Sequence, residues 1–338
     1  MEIGVIGAGS WGTALAILLG NKGFKVSLWV RKKDLFNQIL HERVNGIYLP
    51  QAKLPPSVNP TTDLQKAVSK KDLLVISVPS HVIEDVVLRM KDFIERGTII
   101  VNTAKGLESK TWQRLSLVIK EHIAPDLGCE IAVLSGPNHA EEVSLNIPTA
   151  TVVAAEKLDV AETVQDVFMS SSFRVYTNPD IAGVELGGAL KNVIAIGAGV
   201  CEGLNYGDNT KAALLTRGLT EITRLGVVLG AHRRTFSGLS GMGDLIVTCT
   251  SSHSRNRYVG LMLGRGKTLE EITLSMNMVA EGIKTTKAAY HLSKQHGVKM
   301  PITKEVYGIL FLGVRPEKAV LNLMKRDKTH EIENLAFD

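Results

Sequence analysis

The first strand-like run, Glu2–Ile6, breaks directly into Gly7-Ala8-Gly9-Ser10-Trp11-Gly12, and a helical pattern follows from Thr13 to Asn21. This turn constrains the fold more than any other feature, because it asks for glycine three times for three different reasons. Gly7 permits a tight turn. Gly9 lets backbone N–H groups approach a pyrophosphate. Gly12 lets the helix pack closely on the strand. The N-terminus of the helix then favours an anion. A glycine-rich turn without a ligand has the same spacing; the strand–turn–helix context is what points to a dinucleotide.

The pattern that follows agrees with such a turn. Short β-branched runs recur at Lys25–Val30, Leu73–Val78, Thr98–Asn102, Ile131–Leu134, Thr151–Ala154 and Arg174–Tyr176. Helical patterns separate most of them, at Asp34–Glu42, Val82–Lys91, Trp112–Glu121 and Leu158–Ser170. This alternation predicts an α/β unit with a doubly wound, mostly parallel sheet of Rossmann type, covered on both faces. Near Asp180 strand signals fade and helices dominate: Ile181–Val200, Asn209–Leu229, Arg255–Leu263, Leu269–Ser275, Ile283–Gln295, Ile302–Leu310 and Pro316–Lys325. Asn178-Pro179-Asp180 supplies turn chemistry and a helix cap there. The expected organisation is a dinucleotide-binding domain at 1–180, an all-helical substrate-binding domain at 181–330 and a polar tail at 331–338.

A chain of 338 residues, 44% hydrophobic and 22% charged, suits about two closely packed globular domains. The net charge of +5 is spread without a basic block, so no nucleic-acid partner is expected, while a small anionic substrate fits. Cys129, Cys201 and Cys249 lie far apart with no zinc-like spacing, which reads as three reduced thiols and no metal. No uninterrupted apolar run approaches a bilayer span of ~18 residues, and the first residues enter a strand without a signal-like segment. A cytoplasmic protein without an integral membrane segment is expected.

The second strand is the place for an acidic residue that holds the ribose 2′-OH of NAD. It ends instead in Val30-Arg31-Lys32-Lys33, with no acid before Asp34. Arg31 and Lys32 suit a 2′-phosphate, so NADP(H) is favoured and NAD(H) stays open.

Lys191 is the one charged side chain between Leu186 and Cys201. An unpaired buried ammonium is costly, so such a lysine either reaches water along its stem or uses a tuned proton. Two loops follow strands at the edge where open parallel sheets bind ligands. One carries Lys105; the other carries Gly136, Asn138 and His139. Downstream, Asp244 leads into Leu245–Thr248, and Ser251-Ser252-His253-Ser254-Arg255-Asn256-Arg257 places serines, arginine and asparagine at a helix start. That grouping describes an anion site, although plain capping by Ser252 or Ser254 gives the same pattern.

Together these segments resemble the soluble, bacterial-type NAD(P)-dependent glycerol-3-phosphate dehydrogenases. The resemblance is carried by GAGSWGTALA (7–16), NTAKGLE (102–108), SGPNHAEE (135–142), ELGGALKNVIAIGAGVCEGLNYGDNTKAALLTRG (185–218), LSGMGDLIVTCTSSHSRNR (239–257) and VAEG (279–282). It spans nearly the whole chain. It implies interconversion of dihydroxyacetone phosphate and sn-glycerol 3-phosphate, serving phospholipid synthesis, in a homodimer. It implies a catalytic role for Lys191. It implies substrate contacts for Lys105, Gly136, Asn138, Lys191, Asp244, Thr248, Ser254, Arg255 and Asn256. It implies cofactor contacts for Ser10, Trp11, Arg31, Lys105, Ala140, Arg255, Val279 and Glu281, beside Gly7, Gly9, Gly12 and Lys32. Asn138 departs from the family, where threonine is common. Two other readings share the general layout: a β-hydroxyacid or phosphogluconate-type dehydrogenase, and a non-catalytic NADPH-binding regulator.

Overall fold

The structure, a computed structural model, describes residues 1–123, 125–276, 279–328 and 330–331; most of the expected polar tail, 332–338, lies outside them. Among the described residues ten strands form: β1 (Glu2–Ile6), β2 (Lys25–Trp29), β3 (Val44–Asn45), β4 (Leu49–Lys53), β5 (Val58–Thr61), β6 (Leu73–Ile76), β7 (Ile99–Asn102), β8 (Glu130–Ser135), β9 (Thr149–Ala155) and β10 (Phe173–Asn178). Eight of them make one sheet in the order β10-β9-β8-β7-β6-β1-β2-β5. All neighbours in it are parallel except β8 and β9.

Residues of period two divide between the two faces of the sheet. Ile3, Val5, Leu73 and Val75 join one apolar core, and Ile6, Leu74 and Ile76 join another. Helix Ser10–Asn21 contributes Leu15 and Leu19 to the first core, and helix Ile83–Met90 contributes Val86 and Val87 to the second. Burial on both sides explains why β6 reads as an unbroken apolar run. The strand order reverses between β1 and β6, and the glycine turn leaves β1 at that point.

Strands β3 to β5 carry no clear period, and Pro50 in β4, Pro60 in β5 and Pro55 between them break the pattern, so the sequence did not reveal them. β5 takes the sheet edge, where a proline is tolerated. The helix expected at Trp112–Glu121 runs Leu115–His122 instead. Trp112 has a left-handed backbone (φ 60°) and Leu107 pairs with Arg114, so this segment closes a small loop instead. The Trp112 ring stacks on His291 at 4.7 Å, joining the α/β part to the helical part.

Helix Ile181–Gly203 forms the axis of the helical part, and residues 183–201 are all buried. Asp180 starts it by accepting from the Gly183 N–H at 2.8 Å, and also holds the His232 N–H and Thr235 hydroxyl. By length and apolar composition it is the one helix among the described residues able to cross a membrane, and it lies wholly inside the protein. Helix Arg255–Gly264 crosses it at backbone contact. A Cβ on Gly199 would strike the Arg257 carbonyl, and one on Gly260 would strike the Ile196 carbonyl. Glycines on both helices thus bring residues 255–256 against the middle of the axial helix, where Asn256 donates to Asn192 at 2.9 Å.

Candidate active site

A cleft of about 500 Å³ opens between the carboxyl ends of the strands and the helical part. At one end Gly7 adopts φ +118°, and a Cβ there would meet the Ser77 carbonyl and Val78. Gly9 faces open space, and no side chain caps the helix that starts at Ser10. Gly12 packs on the Gly7 carbonyl, behind the wall. Backbone N–H groups at this helix start therefore face the cleft beneath a space that a Cβ at residue 9 would fill. Trp11 lines the same space, and its indole Nε1 is buried with no partner. Arg31 and Lys32, both exposed, line the cleft at the end of β2. These features fit a dinucleotide: a cradle for a pyrophosphate, an unspent donor, and two cations where an adenosine ribose would lie.

The other end is built around one carboxylate. Asp244 and Thr248 stand four residues apart on helix Asp244–Thr250 and so share a face. Buried Lys191 donates to Asp244 Oδ1 and to Thr248 Oγ1, the latter at 2.6 Å. Lys105, from the loop after β7, donates to Asp244 Oδ2 at 2.9 Å, Asn138 Oδ1 at 2.7 Å and the Gly136 carbonyl at 2.8 Å. Asn138 in turn donates to Thr151 Oγ1 at 3.1 Å, so both ends of its amide are used. Lys105, Asn138, Lys191 and Thr248 line the cleft, while Gly136 and Asp244 lie behind it.

Burial is the largest influence on the Lys191 ammonium and pulls its pKa down to about 7; Asp244 opposes this, and Lys105 adds to it. His139 also lines the cleft. Burial, followed by the charges of Lys191 and Lys105, depresses its pKa to about 4, so its ring is neutral and its buried Nε2 has no partner.

The segment 254–256 divides its labour. Ser254 caps helix Arg255–Gly264 by accepting from the Arg257 N–H at 3.2 Å. Arg255 extends along the cleft and donates to the Val279 carbonyl at 3.0 Å. Asn256 is buried; it donates to Asn192 and accepts from the Gly282 N–H at 2.9 Å. Asn192, which sequence reasoning missed, also donates to the Lys105 carbonyl at 3.2 Å. Its one sequence signal was its place beside Lys191 in an apolar helix. Ala140, Val279 and Glu281 line the cleft as well, and Glu281 is bonded to Ser80.

The dinucleotide cradle and the ammonium groups of Lys191 and Lys105 open into one cleft. That combination defines a nicotinamide-dependent oxidoreductase with an α/β cofactor part and a helical substrate part. Residues 2–161 match the N-terminal model, and residues 180–321 the C-terminal model, of NAD-dependent glycerol-3-phosphate dehydrogenase. The chain is 52% identical to glycerol-3-phosphate dehydrogenase [NAD(P)+] of Thermoanaerobacter sp. (strain X514), over 99% of this chain and 100% of the relative. It is 54% identical to the protein of the same name from Moorella thermoacetica, over 98% of each. The crystal structure of glycerol-3-phosphate dehydrogenase from Coxiella burnetii is 40% identical and superposes with a TM-score of 0.92, over 96% of this chain and 99% of that one. The chain belongs to the NAD-dependent glycerol-3-phosphate dehydrogenase family.

Proposed function

We propose that Lys191 is the acid–base group with which this oxidoreductase interconverts dihydroxyacetone phosphate and sn-glycerol 3-phosphate, with NADP(H) as the favoured cofactor. The observation that carries this reading is the buried Lys191–Asp244 pair, joined by the half-buried Lys105, at the end of a dinucleotide cleft. When bound, the nicotinamide supplies a hydride to the ketone carbon, C2. As charge gathers on the C2 oxygen, Lys191 donates a proton from Nζ, and in the reverse direction it takes that proton back. Asp244 and Thr248 hold the Nζ in place, and Lys105 adds a second positive charge beside it. Gly136 and Asn138 act on the substrate through Lys105.

Arg255, the N-terminal turn capped by Ser254, and the N–H that Asn256 Nδ2 keeps beyond its bond to Asn192 would hold the phosphate. Binding energy there is remote from the reacting carbon and serves to position it. Gly7, Gly9, Ser10, Trp11 and Gly12 would form the pyrophosphate cradle, and Arg31 with Lys32 would meet the 2′-phosphate. Lys105, Ala140, Arg255, Val279 and Glu281 would surround the nicotinamide half. The phosphate grip at 254–256 favours a phosphorylated ketone over a simple hydroxyacid.

The proposal divides the chain into a cofactor domain, 1–180, and a substrate domain, 181–330, supported by the Asp180 cap between the last strand and the axial helix. Supply of glycerol 3-phosphate for phospholipids, a cytoplasmic setting and a homodimer belong to the same proposal. The test is oxidation of NADPH and NADH in parallel with dihydroxyacetone phosphate as acceptor. Turnover that favours NADPH is expected; 3-hydroxyisobutyrate as the better substrate in the oxidative direction would overturn the reading.

A further inference from the structure

Glu185 stands near the start of the axial helix Ile181–Gly203, and its side chain is 0% exposed. A carboxylate so buried is costly unless its oxygens are paired. The donors that pair it come from the α/β part. Oε1 accepts from the Ser116 N–H at 2.9 Å and from Asn102 Nδ2 at 3.3 Å. Oε2 accepts from the Ser116 hydroxyl at 2.5 Å and lies 3.5 Å from Arg114 Nη1. Asn102 ends β7, and its Oδ1 accepts from the Ala104 N–H at 3.1 Å. Its amide therefore ties the Glu185 carboxylate to the loop that carries Lys105. The same face of the axial helix meets that loop twice more. Gly188, three residues on, lies against it: a Cβ there would stand 3.5 Å from Lys105 Cγ and 2.4 Å from Ser135 Oγ. Asn192, four residues further, donates to the Lys105 carbonyl at 3.2 Å. Successive turns of one helix thus touch the segment from Asn102 to Lys105.

Lys191 and Lys105 both reach Asp244, but the first belongs to the axial helix and the second to a loop of the α/β part. The helix fixes Lys191 directly, whereas the loop needs a tether to the same helix if the two ammonium groups are to keep their spacing. We infer that Glu185 is that tether, a positioning residue that seats Lys105 through Asn102. The inference rests on the proposed role of the Lys105–Asp244–Lys191 cluster. Glu185 touches neither the cleft nor the cluster, so its effect on the reaction passes through the place of Lys105.

A double-mutant cycle between Glu185 and Lys105 tests it, using E185A, K105M and the double variant in the full-length enzyme. The readouts are kcat for dihydroxyacetone phosphate reduction and its pH profile. The expected result is a roughly tenfold loss of kcat in E185A, with the apparent pKa of kcat moving upward as Lys105 leaves its place. Adding E185A to K105M should cost less than about twofold in kcat, because the residue it positions is already gone. E185Q keeps an acceptor oxygen for Asn102 and should recover most of the rate. N102A breaks the same tether from the other side, so it should repeat both the loss and the pKa shift, and it serves in the cycle should E185A not fold. A tenfold loss repeated in the K105M background, or an E185A enzyme with wild-type kcat and pH profile, would overturn the inference. So would an E185Q enzyme as slow as E185A, since the Arg114 charge and not the Asn102 bond would then carry the effect. Labelling of Lys105 by an amine reagent, read by mass spectrometry, needs no turnover. Lys105 should label several-fold faster in E185A or N102A than in the wild type, and equal rates would count against the tether. Should the wild type fail to reduce the ketone, the functional reading falls, while the labelling still decides whether Glu185 seats Lys105.

Discussion

Lys191 and Asp244 form an ion pair in which both side chains are almost wholly buried, 5% and 1% exposed. Two buried charges cost several kcal/mol each to desolvate, a cost that good geometry and further hydrogen bonds must offset. Here Thr248 and Lys105 complete the set. The pair leaves the ammonium able to exchange its proton near neutral pH, with a pKa of about 7.

Ketone reduction needs the protonated lysine, so its rate should fall as pH rises through about 7, and the reverse oxidation should rise over the same range. Asp244 raises this pKa and Lys105 lowers it. D244N should move the reduction limb to lower pH, and K105M should move it higher. Both should lose roughly 10- to 100-fold in kcat through lost positioning. Steady-state pH profiles of the three enzymes check this; shifts in the same direction would contradict it.

Arg255 and Asn256 are neighbours with separable effects. R255A should raise the KM for dihydroxyacetone phosphate by about 10- to 100-fold with little change in melting temperature, because its side chain lies along the cleft. N256A leaves the Asn192 amide oxygen and the Gly282 N–H without their partner, and should cost about 1–3 kcal/mol of stability. Kinetics and urea melts of both variants distinguish the two.

The basic end of β2 should decide the cofactor. An R31A/K32A double variant should raise the KM for NADPH by roughly 10- to 100-fold and that for NADH by less than about threefold. Equal losses for both cofactors would show that these cations do not meet a 2′-phosphate.

Glu221 should make stability depend on pH. Its buried carboxylate accepts from the Ile302 and Thr303 N–H groups at 2.6 and 3.0 Å, holding the start of helix Pro301–Phe311. Burial raises its pKa from 4.5 to about 7 against those bonds. Between these values the folded state binds the extra proton, so stability should fall as pH rises from about 4.5 to about 7. E221Q should melt lower, because an amide puts a donor against one of the N–H groups, and should lose this pH dependence. Melting curves across that range check it; an unchanged slope in E221Q would place the dependence elsewhere.

The long apolar strands were legible because a parallel sheet buries both faces, which leaves runs such as Leu73–Ile76 without polar interruption. β5 escaped notice because an edge strand forms from pairing with β2 and needs no apolar period. Lys191 stood out as a lone charge in a buried helix. Its surroundings did not, because the cluster draws on segments near 105, 138, 191, 244 and 248 whose distances in space no spacing encodes. The sequence left open whether Asp244 or Lys105 governs the lysine. In the structure Asp244 outweighs Lys105, and burial outweighs both.

The most direct measurement is single-turnover reduction of dihydroxyacetone phosphate by wild type and K191M, with NADPH affinity determined on both by titration. The expected result is a loss of about 10²–10⁴-fold in the rate of the chemical step, with NADPH affinity nearly unchanged. A K191M enzyme that reduces the ketone at close to the wild-type rate would contradict the assignment of Lys191 as the proton donor.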